Sequence, residues 1–272
     1  MDFISKFYRS GTFRIHYQCG GEGTPALLIH GYGEDGNIWK TVLNGFEGLQ
    51  LIIPDFPGFG QSDVAESYSL KEMMKVFLEI MDAEGIERFY ILGHSMGGYT
   101  TSEFVASVPD RLLGIGMIHT HPFGDTNEIK VNRKKREDHI QAYGTSGFLK
   151  EFYPILFGTE FTKEHPEVVE EMRTYGMTLH QKAFIAGMQA MRLRPNHSES
   201  FKHFERPVLF VVGDDDKAVP YELCMKQLSL PQIADVQILK DIGHMSMLED
   251  TEVFVRILKN YFKFSHQMAD IV

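Results

Sequence analysis

Cysteine is almost missing from this chain of 272 residues: Cys19 and Cys224 stand far apart and cannot form a disulfide framework. A reducing compartment is therefore expected. Long apolar runs are missing too, since none approaches the roughly eighteen residues needed to span a bilayer. The opening residues Met1-Asp2-Phe3-Ile4-Ser5-Lys6 hold neither an apolar core nor a small-residue cleavage site, so a cytoplasmic protein without a leader is expected. Positive charge is in deficit, with 27 Lys and Arg against 37 Asp and Glu and a formal net charge of −10. A surface of that sign repels nucleic acid and anionic membrane, and neither is expected as a partner. Neither a G-x-G-x-x-G pattern nor a P-loop occurs, and no metal-ligand spacing stands out, so no cofactor and no metal are expected. Internal repeats and Gly/Ser linkers are lacking as well.

What is present is apolar material for one large buried core, at 43% of the residues. Six short runs rich in Val, Ile, Leu and Phe (26–30, 49–54, 89–93, 113–119, 208–213 and 236–239) predict strands. Most are nearly continuous rather than alternating, which suits a parallel sheet covered on both faces. Segments 7–9 and 12–19 flank Ser10-Gly11 and predict a hairpin ahead of them. Helical periodicity at 70–84, 99–108 and 251–264 alternates with the strands, giving an α/β class with a doubly wound, mostly parallel sheet. Residues 122–206 break the alternation. They show only helical pattern (137–142, 147–156 and 166–191) and predict a helical lid between core strands. The division expected is a core of residues 1–121 and 207–272 with a cap of residues 122–206.

Gly93-His94-Ser95-Met96-Gly97-Gly98 contains G-x-S-x-G, with a predicted strand before it and a predicted helix after. That context is what a nucleophile elbow needs: a sharp turn that exposes the serine hydroxyl above a helix N-terminus. A hydroxyl needs a base to take its proton. In this architecture the chain order is Ser, acid, His. His244, in Asp241-Ile242-Gly243-His244-Met245, follows the last predicted strand, and three aspartates, Asp214 to Asp216, follow the strand before it. The oxyanion hole is expected from the backbone amides of Met96 and of Tyr32, in His30-Gly31-Tyr32-Gly33.

Asp55-Phe56-Pro57-Gly58-Phe59-Gly60-Gln61-Ser62-Asp63, Gly213–Pro220 and Gly243-His244 resemble the D-x-x-G-x-G-x-S-D, G-x-x-D-x-x-V-P and terminal G-H segments of the α/β-hydrolase superfamily. The resemblance spans nearly the whole chain, least in the lid. It implies an α/β-hydrolase fold and favours Asp216 as the acid of a Ser95–Asp216–His244 triad. Serine at position 95 departs from the aspartate of haloalkane dehalogenases and epoxide hydrolases. The chain is similar to small capped esterases, lactonases and C–C bond hydrolases. The function implied is cleavage of small, rather apolar carboxylic esters or lactones through an acyl-enzyme, with a small-molecule substrate as partner. Alternatives on the same scaffold are a C–C bond hydrolase or lyase, and a slow-turnover ligand receptor. The substrate contacts expected beside the triad are Gly31, Trp39 and His121. His119 and His121 share a strand face, but metal sites usually take three or more ligands and none is near in sequence. The basic run Asn132-Arg133-Lys134-Lys135-Arg136, flanked by acids, is expected to be a solvated helix face.

Overall fold

The computed structural model describes residues 2–269. Its centre is one eight-stranded sheet: β1 (Phe3–Ser10), β2 (Phe13–Gly20), β3 (Thr24–Ile29), β4 (Leu49–Pro54), β5 (Phe89–His94), β6 (Leu112–Ile118), β7 (Val208–Gly213) and β8 (Ala234–Leu239). The strand order is β1-β2-β4-β3-β5-β6-β7-β8, antiparallel from β1 to β4 and parallel from there on. All six residues of β5 and of β7 are buried, as their unbroken apolar runs require. β8 instead alternates, with Val236 and Ile238 exposed, because it is an edge strand. The N-terminal hairpin is longer than the sequence suggests, since Phe3–Ser10 pairs along its whole length with Phe13–Gly20.

Helices cover both faces. α1 (Leu70–Ala83) opens on a capping box in which the Ser69 hydroxyl accepts from the Glu72 amide and the Glu72 carboxylate accepts from the Ser69 amide. α2 (Met96–Ser107) follows Ser95 directly. Between β6 and β7 the chain forms α3 (Asn127–Tyr143), α4 (Ser146–Phe152), α5 (Thr159–Glu164), α6 (Pro166–Thr178), α7 (Gln181–Leu193) and α8 (Ser198–Lys202), with no strand among them. α3 starts ten residues before its apolar pattern does, because its first half is charged and held by a Thr126 cap. The predicted helix 166–191 is two helices, divided where Leu179 turns extended and the His180 ring caps α7. α9 (Tyr221–Gln227), α10 (Ser246–Glu249) and α11 (Thr251–Ala269) complete the chain. No helix among the described residues is long and apolar enough to cross a membrane. Residues 1 and 270–272 of the predicted core lie outside the described residues.

Candidate active site

Ser95 sits between β5 and α2 at φ 51°, ψ −114°, a backbone state that side chains other than glycine rarely adopt. Bonds on both sides hold it there. Its amide donates to the Ile118 carbonyl at 3.0 Å, and its carbonyl accepts from the Thr120 hydroxyl at 2.8 Å. The glycines around it are needed for space. A Cβ on Gly93 would stand 2.4 Å from the Gly97 carbonyl oxygen, and one on Gly97 would stand 2.3 Å from the Ile29 carbonyl oxygen. Neither neighbour is a flexible side-chain end. Gly97→Ala is accordingly expected to cost about 3 kcal/mol or more, read as a lower melting temperature or loss of folded protein.

Met96 heads α2, and the first amides of a helix have no partner within it. Tyr32 lies opposite, on the loop after β3, where its hydroxyl donates to the Phe184 carbonyl at 2.8 Å and its ring packs edge-on against Phe59, Phe152 and Phe184. Beside it Gly31 meets Ser95 so closely that an added Cβ would fall 3.1 Å from the serine Cβ. Gly31 is thus a close backbone approach.

Asp216, after β7, accepts at Oδ1 from the Ala218 and Val219 amides at 2.8 and 2.9 Å, and its Oδ2 takes the His244 Nδ1–H at 2.7 Å. Its two neighbours are used elsewhere: Asp214 takes the Asp241 amide and Asp215 the Thr159 amide. Burial by itself raises the Asp216 pKa. The imidazoles of His244 and His119 outweigh that and hold the carboxyl well below the usual carboxylate range. With Nδ1–H given to Asp216, His244 keeps Nε2 as an acceptor. Its loop is fixed by Glu249, whose carboxylate takes the amides of Gly243, Met245 and Gly158 at 2.9, 3.0 and 2.8 Å. The His244 amide donates to the Leu156 carbonyl at 2.8 Å.

Two further histidines pack on His244, with ring centroids 4.8 Å (His94) and 5.6 Å (His119) away. His94 has Glu34 Oε1 at 2.9 Å from Nδ1 and the His244 carbonyl at 2.9 Å from Nε2. Both partners are acceptors, an arrangement that favours a proton on each ring nitrogen. Burial opposes this charge, but Glu34 overcomes it and the His94 pKa is raised. His119 is the reverse. Burial lowers its pKa to about 4 against the pull of Asp216, whose Oδ2 lies 3.6 Å from its Nδ1. The unfolded chain therefore binds a proton at His119 between about pH 6.5 and 4 that the folded chain refuses, and stability falls as pH drops through that range. In His119→Asn, which tolerates the φ of 49° found there, the slope of melting temperature against pH over this interval is expected to flatten.

His119, Asp216 and His244 each offer an atom within 4.8 Å of the others, which among the described residues is close enough to share one ion. The Asp216 and His119 loops supply partners that lie far away in sequence. An ion bound there would compete for the carboxylate that His244 uses, and so would oppose general-base chemistry.

Ser95, His244, Tyr32 and His121 line one cavity of about 260 Å³. Its other walls come from Tyr99 and from Phe148, Phe152, Leu156, Met188 and Met191 of the helical segment. His121 accepts the Phe123 amide at Nδ1, leaving its Nε2–H as a donor, and burial holds its pKa down at about 3. Trp39 does not line the cavity. It is fully buried against Phe46 in the segment beneath α11, so the contact expected of it is packing. The basic run follows expectation in part: Lys134 and Lys135 are exposed, but Asn132, Arg133 and Arg136 line the cavity, as do Asp125 and Arg194. Helical spacing from Ile129 is the signal that points to them.

The α/β-hydrolase fold family model matches residues 24–251. A dihydrolipoyllysine-residue acetyltransferase component of the acetoin cleaving system of Cupriavidus necator is 29% identical over 91% of this chain, which spans 66% of that protein. A 2-hydroxy-6-oxononadienedioate/2-hydroxy-6-oxononatrienedioate hydrolase of Burkholderia vietnamiensis is 23% identical over 92% of this chain and 91% of its own length. A malate-bound thermophilic esterase from Thermogutta terrifontis superposes with a TM-score of 0.89 over 98% of this chain and all of that one, at 24% identity.

Proposed function

Since the chain belongs to the α/β-hydrolase fold family, we propose that it is a serine hydrolase of small carboxylic esters or lactones, with Ser95 as nucleophile, His244 as base and Asp216 as its orienting acid. One observation carries the reading. A serine in a strained strand-to-helix turn shares a cavity with a histidine whose far nitrogen is bound to a buried carboxylate. Ser95 Oγ attacks the carbonyl carbon as its proton passes to His244 Nε2. The Tyr32 and Met96 amides receive the oxyanion. The C–O bond to the leaving alcohol then breaks, and His244 returns the proton to that oxygen. Water repeats the sequence, freeing the acid and restoring the Oγ–H. Residues 122–206 act as a cap over a core of 1–121 and 207–272, and the apolar cap residues lining the cavity exclude bulk water. The small partly apolar cavity supports a small substrate.

A fluorophosphonate probe tests the reading. Stoichiometric labelling at Ser95, lost in His244→Ala, is expected, together with a burst and steady turnover of a short-chain nitrophenyl ester. No labelling and no turnover would sink it.

A second reading, hydrolysis of a C–C bond in a dicarbonyl compound, is supported by the relatives named as dienedioate hydrolases. The same donors would serve. Turnover of such a compound with kcat/KM far above that of any nitrophenyl ester would favour it.

A further inference from the structure

Resting on the reading of this cavity as the substrate site, the identity of its charged lining narrows the substrate. Ile129, Asn132, Arg133 and Arg136 stand on one face of α3, at helical spacing, and all four line the cavity. Arg194, which caps α7, and Lys217 line it as well. Lys217 is paired outside the lining, with Asp215 at 3.7 Å, and one carboxylate among the lining residues is left for the three arginines. That is Asp125, whose side chain is 1% exposed. Its Oδ2 takes Arg133 Nε at 2.7 Å and its Oδ1 takes Arg194 Nη1 at 2.7 Å.

Arg194 uses its Nε and Nη1 donors within the protein. Besides Asp125 it gives hydrogen bonds to the Phe123 and Met191 carbonyls, and its guanidinium lies 3.8 Å over the Tyr99 ring. Arg133 is different. Its Nη1 meets only the thioethers of Met188 and Met191, at 3.7 and 3.6 Å, and a thioether is a weak acceptor. Arg136, nearer solvent, has no acidic side chain within ion-pair distance among the described residues. A single shared carboxylate thus leaves uncompensated positive charge and free guanidinium donors facing the cavity, in a chain whose net charge is −10. A guanidinium fork matches a carboxylate in shape and charge. We propose that the cavity selects substrates bearing a free carboxylate, seated on Arg133 with Arg136 at the mouth: half-esters of dicarboxylic acids, or lactones with a carboxylate arm. The apolar cavity residues then hold the chain between that carboxylate and the reacting carbonyl.

The test compares nitrophenyl half-esters of succinic, glutaric and adipic acid with neutral nitrophenyl esters of equal chain length. The best half-ester is expected to exceed its neutral partner about tenfold or more in kcat/KM, through KM, with the ratio shrinking as salt is added. Arg133→Met and Arg136→Met should each bring the ratio toward one, and Arg133→Lys should restore part of it. Arg136 makes no buried pair, so its variant folds even if Arg133→Met, which leaves Asp125 with one partner, does not. Preference for the neutral ester, or a ratio unmoved by both methionine variants, overturns the carboxylate site and leaves the hydrolase reading standing. Glutarate and adipate binding to Ser95→Ala protein separates the two readings. Binding weakened about tenfold by Arg136→Met, with no ester turned over, keeps the site and sinks ester hydrolysis. Absence of both turnover and binding overturns both.

Discussion

Ser95→Ala is expected to lower kcat on a short-chain nitrophenyl ester by a factor on the order of 10⁶, with KM little changed. On the proposed mechanism the loss falls on kcat because the Oγ–carbon bond exists only from the transition state onward, while the cavity walls proposed to bind the ester remain. Contamination and background hydrolysis set the floor of such an assay, so single-turnover measurements with enzyme in excess are the proper check. The same position has a second, opposite consequence. The backbone at φ 51° is held by the Ile118 and Thr120 bonds and by the packing of Gly93 and Gly97, and glycine would adopt it at less cost. Ser95→Gly should therefore raise the melting temperature by roughly 2–4 °C, corresponding to about 1 kcal/mol, while removing all activity. A variant that lost activity and stability together would show that the strain is not stored at this residue.

Asp216→Asn is expected to lower kcat about 10⁴-fold, because in the proposed triad the amide would no longer fix the His244 tautomer or stabilise the imidazolium formed as Ser95 gives up its proton. The change also has a signature in stability. The Asp216 pKa in the fold lies below its unfolded value of about 3.9, so its contribution is complete above that pH and is lost as pH falls through the folded value. Melting temperatures of wild type and variant should differ most near neutrality and converge below about pH 4. Curves that stay parallel down to low pH would mean that the carboxylate is not ionised in the fold. His119 complicates the neutral form usefully. With Asp216 neutralised, the charge that opposes burial at His119 is gone, so this ring should resist protonation further still.

Much of this was legible in the order of residues. Unbroken apolar runs at Phe89–His94 and Val208–Gly213 mark strands buried on both faces, and such strands are marked by composition alone. The turn around Ser95 is readable because its steric demands admit few side chains: glycine where a neighbouring backbone leaves no room for a Cβ. The helical segment was less readable. α3 begins in charged residues whose stability comes from a Thr126 cap and from the Glu137–Arg192 and Asp125–Arg133 pairs, none of which produces an apolar rhythm. Whether Trp39 packs or lines a pocket is not legible for the related reason that burial does not say which cavity, if any, a ring faces.

Local chemistry determined where the strands run, where the serine turn must lie and which loops end in Asp216 and His244, because backbone sterics and apolar periodicity act over a few residues. Only the tertiary structure decided what those loops meet. The His94 pKa is raised because Glu34 and the His244 carbonyl converge on it, and the His119 pKa is lowered because burial outweighs the pull of an aspartate already bound to His244. Arg133 faces inward because α3 packs against α7. Charge state and direction are set by neighbours brought from far along the chain, and electrostatic energy depends on distances that sequence separation does not contain.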